Sequence, residues 1–234
     1  KIYVVGGYGS DSVTSSAKVN RYDPATNAWE AMASMGAERK APGVAVIDGK
    51  IYAAGGHGGY MGDILKTVEQ YIPETNTWKA VAPMAAKRYA PAVAVINGKL
   101  YVAAGLGAGD VLNTVERYDP ATNTWDAVAS MGTARCRAGS AVLDGKLYVF
   151  GGKKTPGGSA LNTVERYDPT SGAWEAVASM VTKRLDHAGT VIDGKLYAVG
   201  GYQGGTCLDT VERYDPITNT WEVMAPLTVK RRHS

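Results

Sequence analysis

Val-Glu-Arg-Tyr-Asp-Pro-Ile-Thr-Asn-Thr-Trp, residues 211–221, is the stretch whose reading decides the fold. Near-identical copies stand at 68–78, 115–125 and 164–174, and a looser one at 19–29. Their tryptophans, Trp29, Trp78, Trp125, Trp174 and Trp221, lie 49, 47, 49 and 47 residues apart. Five copies at one period make the chain a continuous array of small units rather than two ordinary domains.

Outward from the motif, the pattern within each unit has period two and carries no 3.6-residue stripe, so the units are built of strands. Upstream lie two short apolar runs split by Asp-Gly, as in Gly43–Ile47, Asp48-Gly49 and Lys50–Ala54. Asp-Gly between alternating runs predicts a two-residue hairpin, whose central residues both need positive φ. The signal recurs in phase at Asn97-Gly98, Asp144-Gly145 and Asp193-Gly194. The second run ends in a glycine pair (Gly6-Gly7, Gly55-Gly56, Gly151-Gly152, Gly200-Gly201), with Ala104-Gly105 as the variant. Such glycines mark a close approach by another group, and the tryptophan of the same unit is expected to fill that space. Val-Glu-Arg-Tyr is then a third strand and Asp-Pro-x-Thr-Asn a turn. A fourth strand opens at Trp and runs, in the second unit, through Pro83 to Met84; Pro83 and Pro226 are expected on an outer edge strand that tolerates them.

Composition agrees with a β array. Glycine is abundant at 29 residues, beside 14 tyrosines and 5 tryptophans. The net charge of +3 is spread through mixed-sign sequence, which argues against nucleic-acid or membrane-surface partners. No apolar run of 18 residues exists to span a bilayer. Cys136 and Cys207 fall at different places in their units and form neither a disulfide framework nor a zinc pattern. Reduced thiols and no visible leader lead us to expect a cytoplasmic protein.

The glycine pair, the tyrosine, the tryptophan seven residues later and the four-strand period resemble the kelch repeat. The resemblance covers essentially the whole chain, and the third-strand wording looks most like the kelch domains of BTB–kelch proteins. It implies an all-β kelch β-propeller of five four-stranded blades in a single domain, 1–234. The expected blades are 1–36, 43–84, 92–131, 139–180 and 188–227. The first lacks its inner strand, and 228–234 leads toward a closing strand that the sequence does not contain. Two readings of the ends follow: a piece of a longer array, or a five-bladed ring short of one strand. An open blade also invites self-association through its unpaired edge.

Asp-Gly and Asp-Pro turns share one face and hardly vary between copies. The strand 2–3 loops and the connections between blades share the other face and vary freely, so recognition is expected there. Each connection holds Met or Leu, three residues, then Arg: Arg39, Arg88, Arg135, Arg184 and Arg231. Identical placement gives these arginines a structural role, bonding carbonyls or neighbouring acidic groups. In kelch domains that bind peptides, the residue two beyond this Arg often points into the channel mouth; by that resemblance Ala41, Ala90, Arg137, Asp186 and His233 ring it. Arg137, with its planar fork, is the natural anchor for an acidic partner.

The expected partner face comprises Tyr8, His57, Tyr60, Tyr89, Arg137, Asp186, His187, Tyr202, Gln203, Arg232 and His233, with aromatic and Arg groups as anchors. The histidines come from different blades without ligand spacing, so no metal or other cofactor is expected. The glycine pairs open no helix and cradle no phosphate. The chain therefore reads as a non-enzymatic scaffold for a protein or peptide ligand, acidic if Arg137 is the anchor. Two alternatives stay open: a small-ligand or metal-dependent enzyme of the kelch type, and a structural array with no discrete ligand.

Overall fold

In the computed structural model, residues 1–8, 15–59 and 62–232 are described. Blade 1 holds β1 (Ile2–Val5), β2 (Val19–Asp23) and β3 (Ala28–Met32). Blade 2 holds β4 (Gly43–Ile47), β5 (Lys50–Ala54), β6 (Val68–Ile72) and β7 (Thr77–Val81). Blade 3 holds β8 (Ala92–Ile96), β9 (Lys99–Ala103), β10 (Val115–Asp119) and β11 (Thr124–Val128). Blade 4 holds β12 (Gly139–Leu143), β13 (Lys146–Phe150), β14 (Val164–Asp168) and β15 (Ala173–Val177). Blade 5 holds β16 (Ala188–Ile192), β17 (Lys195–Val199), β20 (Val211–Asp215) and β21 (Thr220–Met224); a two-residue hairpin, β18 (Tyr202–Gln203) with β19 (Thr206–Cys207), lies in its strand 2–3 loop. Every blade is an antiparallel meander, four-stranded except the first, which has three. The chain is an all-β propeller of five blades, as the repeats predict.

The turns obey their local chemistry. Asp48 and Gly49 both take positive φ (47° and 75°), as do the other three hairpin pairs. In the Asp-Pro turns, Asp119 Oδ1 accepts the N–H of Ala121 at 3.0 Å, and Asn123 sits left-handed at φ 55°. The fourth strands end at Val81 and Met224, so Pro83 and Pro226 lie just beyond them rather than within an edge strand. The correction follows from the ladder: the β6–β7 pairing ends at Val68↔Val81, and beyond it the chain returns only at Met84, whose N–H donates to Lys66 O at 3.0 Å.

The glycine pairs serve a different neighbour from the one expected. A Cβ on Gly55 would meet the carbonyl oxygen of Arg88 at 2.4 Å, and on Gly6 that of Arg39 at 2.5 Å. The close approach is therefore by the backbone of the connection leading to the next blade, not by a tryptophan. Gly56 N–H donates to that same Arg88 carbonyl at 2.8 Å. Ala104 fills the position in blade 3 at φ 64°, a conformation few non-glycine residues adopt.

Adjacent blades are joined by one repeated device. Arg88 leaves the connection after blade 2 and enters blade 3 fully buried. Its guanidinium donates to the carbonyls of Ala104 (2.7 Å) and Thr114 (2.9 Å), to Thr114 Oγ1 (2.9 Å) and to Glu116 Oε1 (2.9 Å). Glu116 also accepts the N–H groups of Ala85 and Ala86. Arg39–Glu69, Arg135–Glu165 and Arg184–Glu212 repeat the pair. Burial penalises the charged form of Arg88 and Arg135 and lowers their pKa, but the carboxylate opposes that shift. A buried charge is costly unless it is paired and hydrogen-bonded; Arg135 and Arg184 meet this through Nη1 and Nη2, with Nε left without a partner. The same seam is closed at its outer end by tryptophan: Trp125 Nε1 donates to Ala82 O at 2.7 Å, and Asn123 Oδ1 accepts the Ala82 N–H at 2.9 Å. Between the two lies tyrosine packing, Tyr52 against Tyr118 at 5.7 Å between ring centroids.

Candidate functional site

The connections and the strand 2–3 loops share a face because they are hydrogen-bonded to each other. Lys40 bridges His57, Tyr89 bridges Leu106, Cys136 bridges Lys153 and Leu185 bridges Tyr202. Each connection thus lies along the loop of the blade it enters. The next residues inward form a backbone chain around the channel mouth. Ala90 N–H donates to Ala41 O (3.1 Å), Arg137 N–H to Ala90 O (3.2 Å) and Asp186 N–H to Arg137 O (3.0 Å). All four residues are left-handed, with φ between 46° and 59°.

These residues line a cavity of about 540 Å³ at the mouth, together with Tyr8, Pro42 and Pro91. Arg137 Nε donates to Asp186 Oδ1 at 2.6 Å, and Nη2 reaches Oδ2. The planar fork expected to anchor an acidic partner is therefore turned onto Asp186, whose carboxylate offsets its charge. A further cation, Lys40, lies beside this cavity next to Ala41. Its ammonium lies 4.2 Å from the ring centroid of Tyr8 and 5.7 Å from that of Tyr89. His57 packs edge-on against Tyr89, with centroids 6.2 Å apart. Burial raises the Tyr89 pKa further above neutrality. Lys40 was not among the residues singled out from sequence; its place directly after the buried Arg39 was the available signal.

The other expected positions divide. Tyr202 and Gln203 form β18 at the rim of blade 5, and the Arg232 guanidinium lies 4.5 Å from the Tyr202 ring centroid. They flank a separate cavity of about 420 Å³ with Lys183 and Leu185, and do not join the mouth group. Tyr60 and His233 lie outside the described residues. His187, expected as a surface contact, borders the mouth cavity but is buried and packs on Phe150 with centroids 5.1 Å apart. The space it fills is left by glycines: a Cβ on Gly139 would come within 2.5 Å of His187 Nε2. Burial, with help from the Arg184 charge, pushes its pKa down to about 3. Neither imidazole nitrogen has a hydrogen-bond partner. Burial likewise raises the Cys136 thiol.

Among the described residues, no three His, Cys, Asp or Glu side chains cluster as metal ligands, and no helix is long and apolar enough to cross a membrane. The Kelch motif matches residues 1–36, 38–85, 87–132, 134–181 and 183–228. Among solved structures, one titled "Structure of YjhT" is similar with a TM-score of 0.84 at 18% identity, over 99% of this chain and 82% of that one. A search of curated proteins finds no match.

Proposed function

The chain belongs to the Kelch-motif family, and from that premise we propose that its channel mouth is a non-catalytic binding site for a peptide or protein segment bearing acidic and apolar side chains. The observation that carries this reading is the backbone chain at the mouth. It holds Ala41, Ala90, Arg137 and Asp186 in one conformation while their side chains range from methyl to guanidinium and carboxylate. The joints beneath them repeat almost without change, so variation is concentrated where a ligand would reach. Lys40, seated on two tyrosine rings, supplies the cation for a carboxylate; Tyr8 and Tyr89 supply apolar area and phenol donors. The third-strand wording that resembles BTB–kelch proteins extends the reading: such a domain presents the captured protein to a ubiquitin ligase.

The test is peptide display against the purified chain. Acidic sequences with an apolar anchor should be enriched, and Lys40→Glu or Tyr89→Ala should abolish the enrichment with the melting temperature held. Equal enrichment on wild type and both variants would move the site elsewhere.

A further inference from the structure

The face of the Asp-Gly and Asp-Pro turns repeats with little change, and one seam on it departs from the rest. In four blades a tyrosine, an arginine and a carboxylate stand side by side on strands two, three and four: Tyr3–Arg21–Glu30, Tyr101–Arg117–Asp126, Tyr148–Arg166–Glu175 and Tyr197–Arg213–Glu222. In each row the arginine is ion-paired to the carboxylate. Nearer the turns, a lysine is ion-paired to the aspartate that ends strand three: Lys1 to Asp23, Lys99 to Asp119, Lys146 to Asp168 and Lys195 to Asp215. Every cation on this face of those blades has its own carboxylate.

Blade 2 keeps the frame and changes the charges. Its row is Tyr52–Gln70–Lys79, and Ile72 takes the place of the aspartate. Lys50 stands two residues before Tyr52 on the same strand, hence on the same face. Neither Lys50 nor Lys79 makes an ion pair among the described residues. Gln70 is only 5% exposed; its Nε2 bonds the Tyr52 hydroxyl, and its Oε1 has no hydrogen-bond partner. A buried polar atom without a partner is costly. A tyrosine hydroxyl donates or accepts equally well, so the amide can turn either its oxygen or its NH2 group to a ligand. Lys50, Gln70 and Lys79 line one cavity of about 420 Å³ between blades 2 and 3, which falls within the range of about 300–1,000 Å³ usual for small-ligand clefts. Val81 and Pro120 are apolar walls, and Asp48 of the hairpin turn is the one carboxylate among the described lining residues.

We propose that this seam binds a small phosphate monoester, with the phosphate between the Lys50 and Lys79 ammonium groups, the Gln70 amide donating to one of its oxygens, and the organic body against Val81 and Pro120. The two cations supply the charge for a dianion, which the carboxylates of the other blades would repel. Ammonium groups act as point charges and suit a tetrahedral phosphate. The planar fork that matches a carboxylate is the group this blade has exchanged for an amide. The site lies on the turn face, away from the channel mouth, and stands independently of peptide binding there.

The test titrates phenyl phosphate into the full chain by isothermal calorimetry at low ionic strength, where screening is weak. One equivalent should bind, and succinate should bind about tenfold more weakly or worse. Gln70→Arg, Ile72→Asp and Lys79→Glu together rebuild in blade 2 the charge pattern of blades 1, 4 and 5. That variant should keep its melting temperature while its affinity for phenyl phosphate falls about tenfold or more. Lys50→Ala removes a partly exposed side chain without touching the core, so it decides the matter even if the rebuilt variant is unstable. It should also weaken binding about tenfold, while Lys195→Ala, at the equivalent place in blade 5, should leave binding unchanged. Absence of saturable binding would overturn the proposal, as would full affinity in the rebuilt variant or in Lys50→Ala. Succinate binding as tightly as phenyl phosphate would overturn the assignment to a phosphate.

Discussion

The Arg184 guanidinium donates to Glu212 Oε1 at 2.5 Å across the seam between blades 4 and 5, and neither side chain meets solvent. Glu212 also accepts the N–H groups of Val181 and Thr182, so one carboxylate fixes the connection as well as the arginine. Glu212→Gln keeps the shape and removes the charge. We expect a loss of about 3–5 kcal/mol in denaturant unfolding, because the arginine is left buried without its counter-ion. Replacing both residues by methionine should cost less than this single change. A cost below about 1 kcal/mol for Glu212→Gln would show that the seam does not depend on the pair.

The tryptophans make an internal control. Trp78 Nε1 donates to Ala33 O at 2.9 Å, while Trp29 is exposed on the open side of blade 1. Trp78→Phe should destabilise by about 1 kcal/mol or more through the lost bond and lost packing. Trp29→Phe should stay within about 0.5 kcal/mol. Equal effects by chemical denaturation would contradict the unequal roles.

Blade 4 lacks an asparagine that its neighbours use. In blade 3, Asn123 Oδ1 accepts both the Tyr118 hydroxyl and the Ala82 N–H. Gly172 holds the equivalent place at φ 69°, with nothing within 4 Å of a built Cβ. Gly172→Asn should therefore stabilise by about 1 kcal/mol, since asparagine tolerates this conformation and would accept from Tyr167 and Ala129. An unchanged or lower melting temperature would show that the space is less open than the neighbouring blades imply.

His187 gives the fold an acid-sensitive point. Its folded pKa, about 3, lies below the unfolded value of 6.5. A depressed histidine contributes its full stability above the unfolded pKa. Below it the unfolded chain takes up a proton that the native state refuses, so stability falls with pH until about 3. The slope from this one group approaches about 1.4 kcal/mol per pH unit. His187→Leu should flatten the melting temperature between pH 6 and 4 (roughly the window set by those two values) relative to wild type. Parallel curves would mean that the imidazole reaches a proton in the native state.

Local chemistry was legible in the sequence, and contacts between repeats were not. Asp48-Gly49 and Asp119-Pro120 specify their own backbone angles, so strand order and turn positions followed from residues a few places apart. The Arg88–Glu116 pair spans two blades. Arginine and glutamate both recur at the repeat period, which shows that each is structural without showing which meets which. The glycine pairs failed for the same reason: what crowds Gly55 is the backbone of Arg88, which only the assembled array brings near. At the mouth, sequence identified the residues around the rim, but nothing in Arg137 and Asp186, a full repeat apart, announced that they would neutralise each other.

The backbone chain Ala41–Ala90–Arg137–Asp186 separates two properties that most binding sites couple. Where each side chain emerges is set by a left-handed main chain tied to the blade before it. What emerges is left to the residue. Methyl groups, a guanidinium and a carboxylate already occupy equivalent sockets without disturbing the spacing. Under the proposed function, ligand preference at this mouth could be rewritten one socket at a time, with the channel's diameter fixed by the number of blades rather than by what lines it.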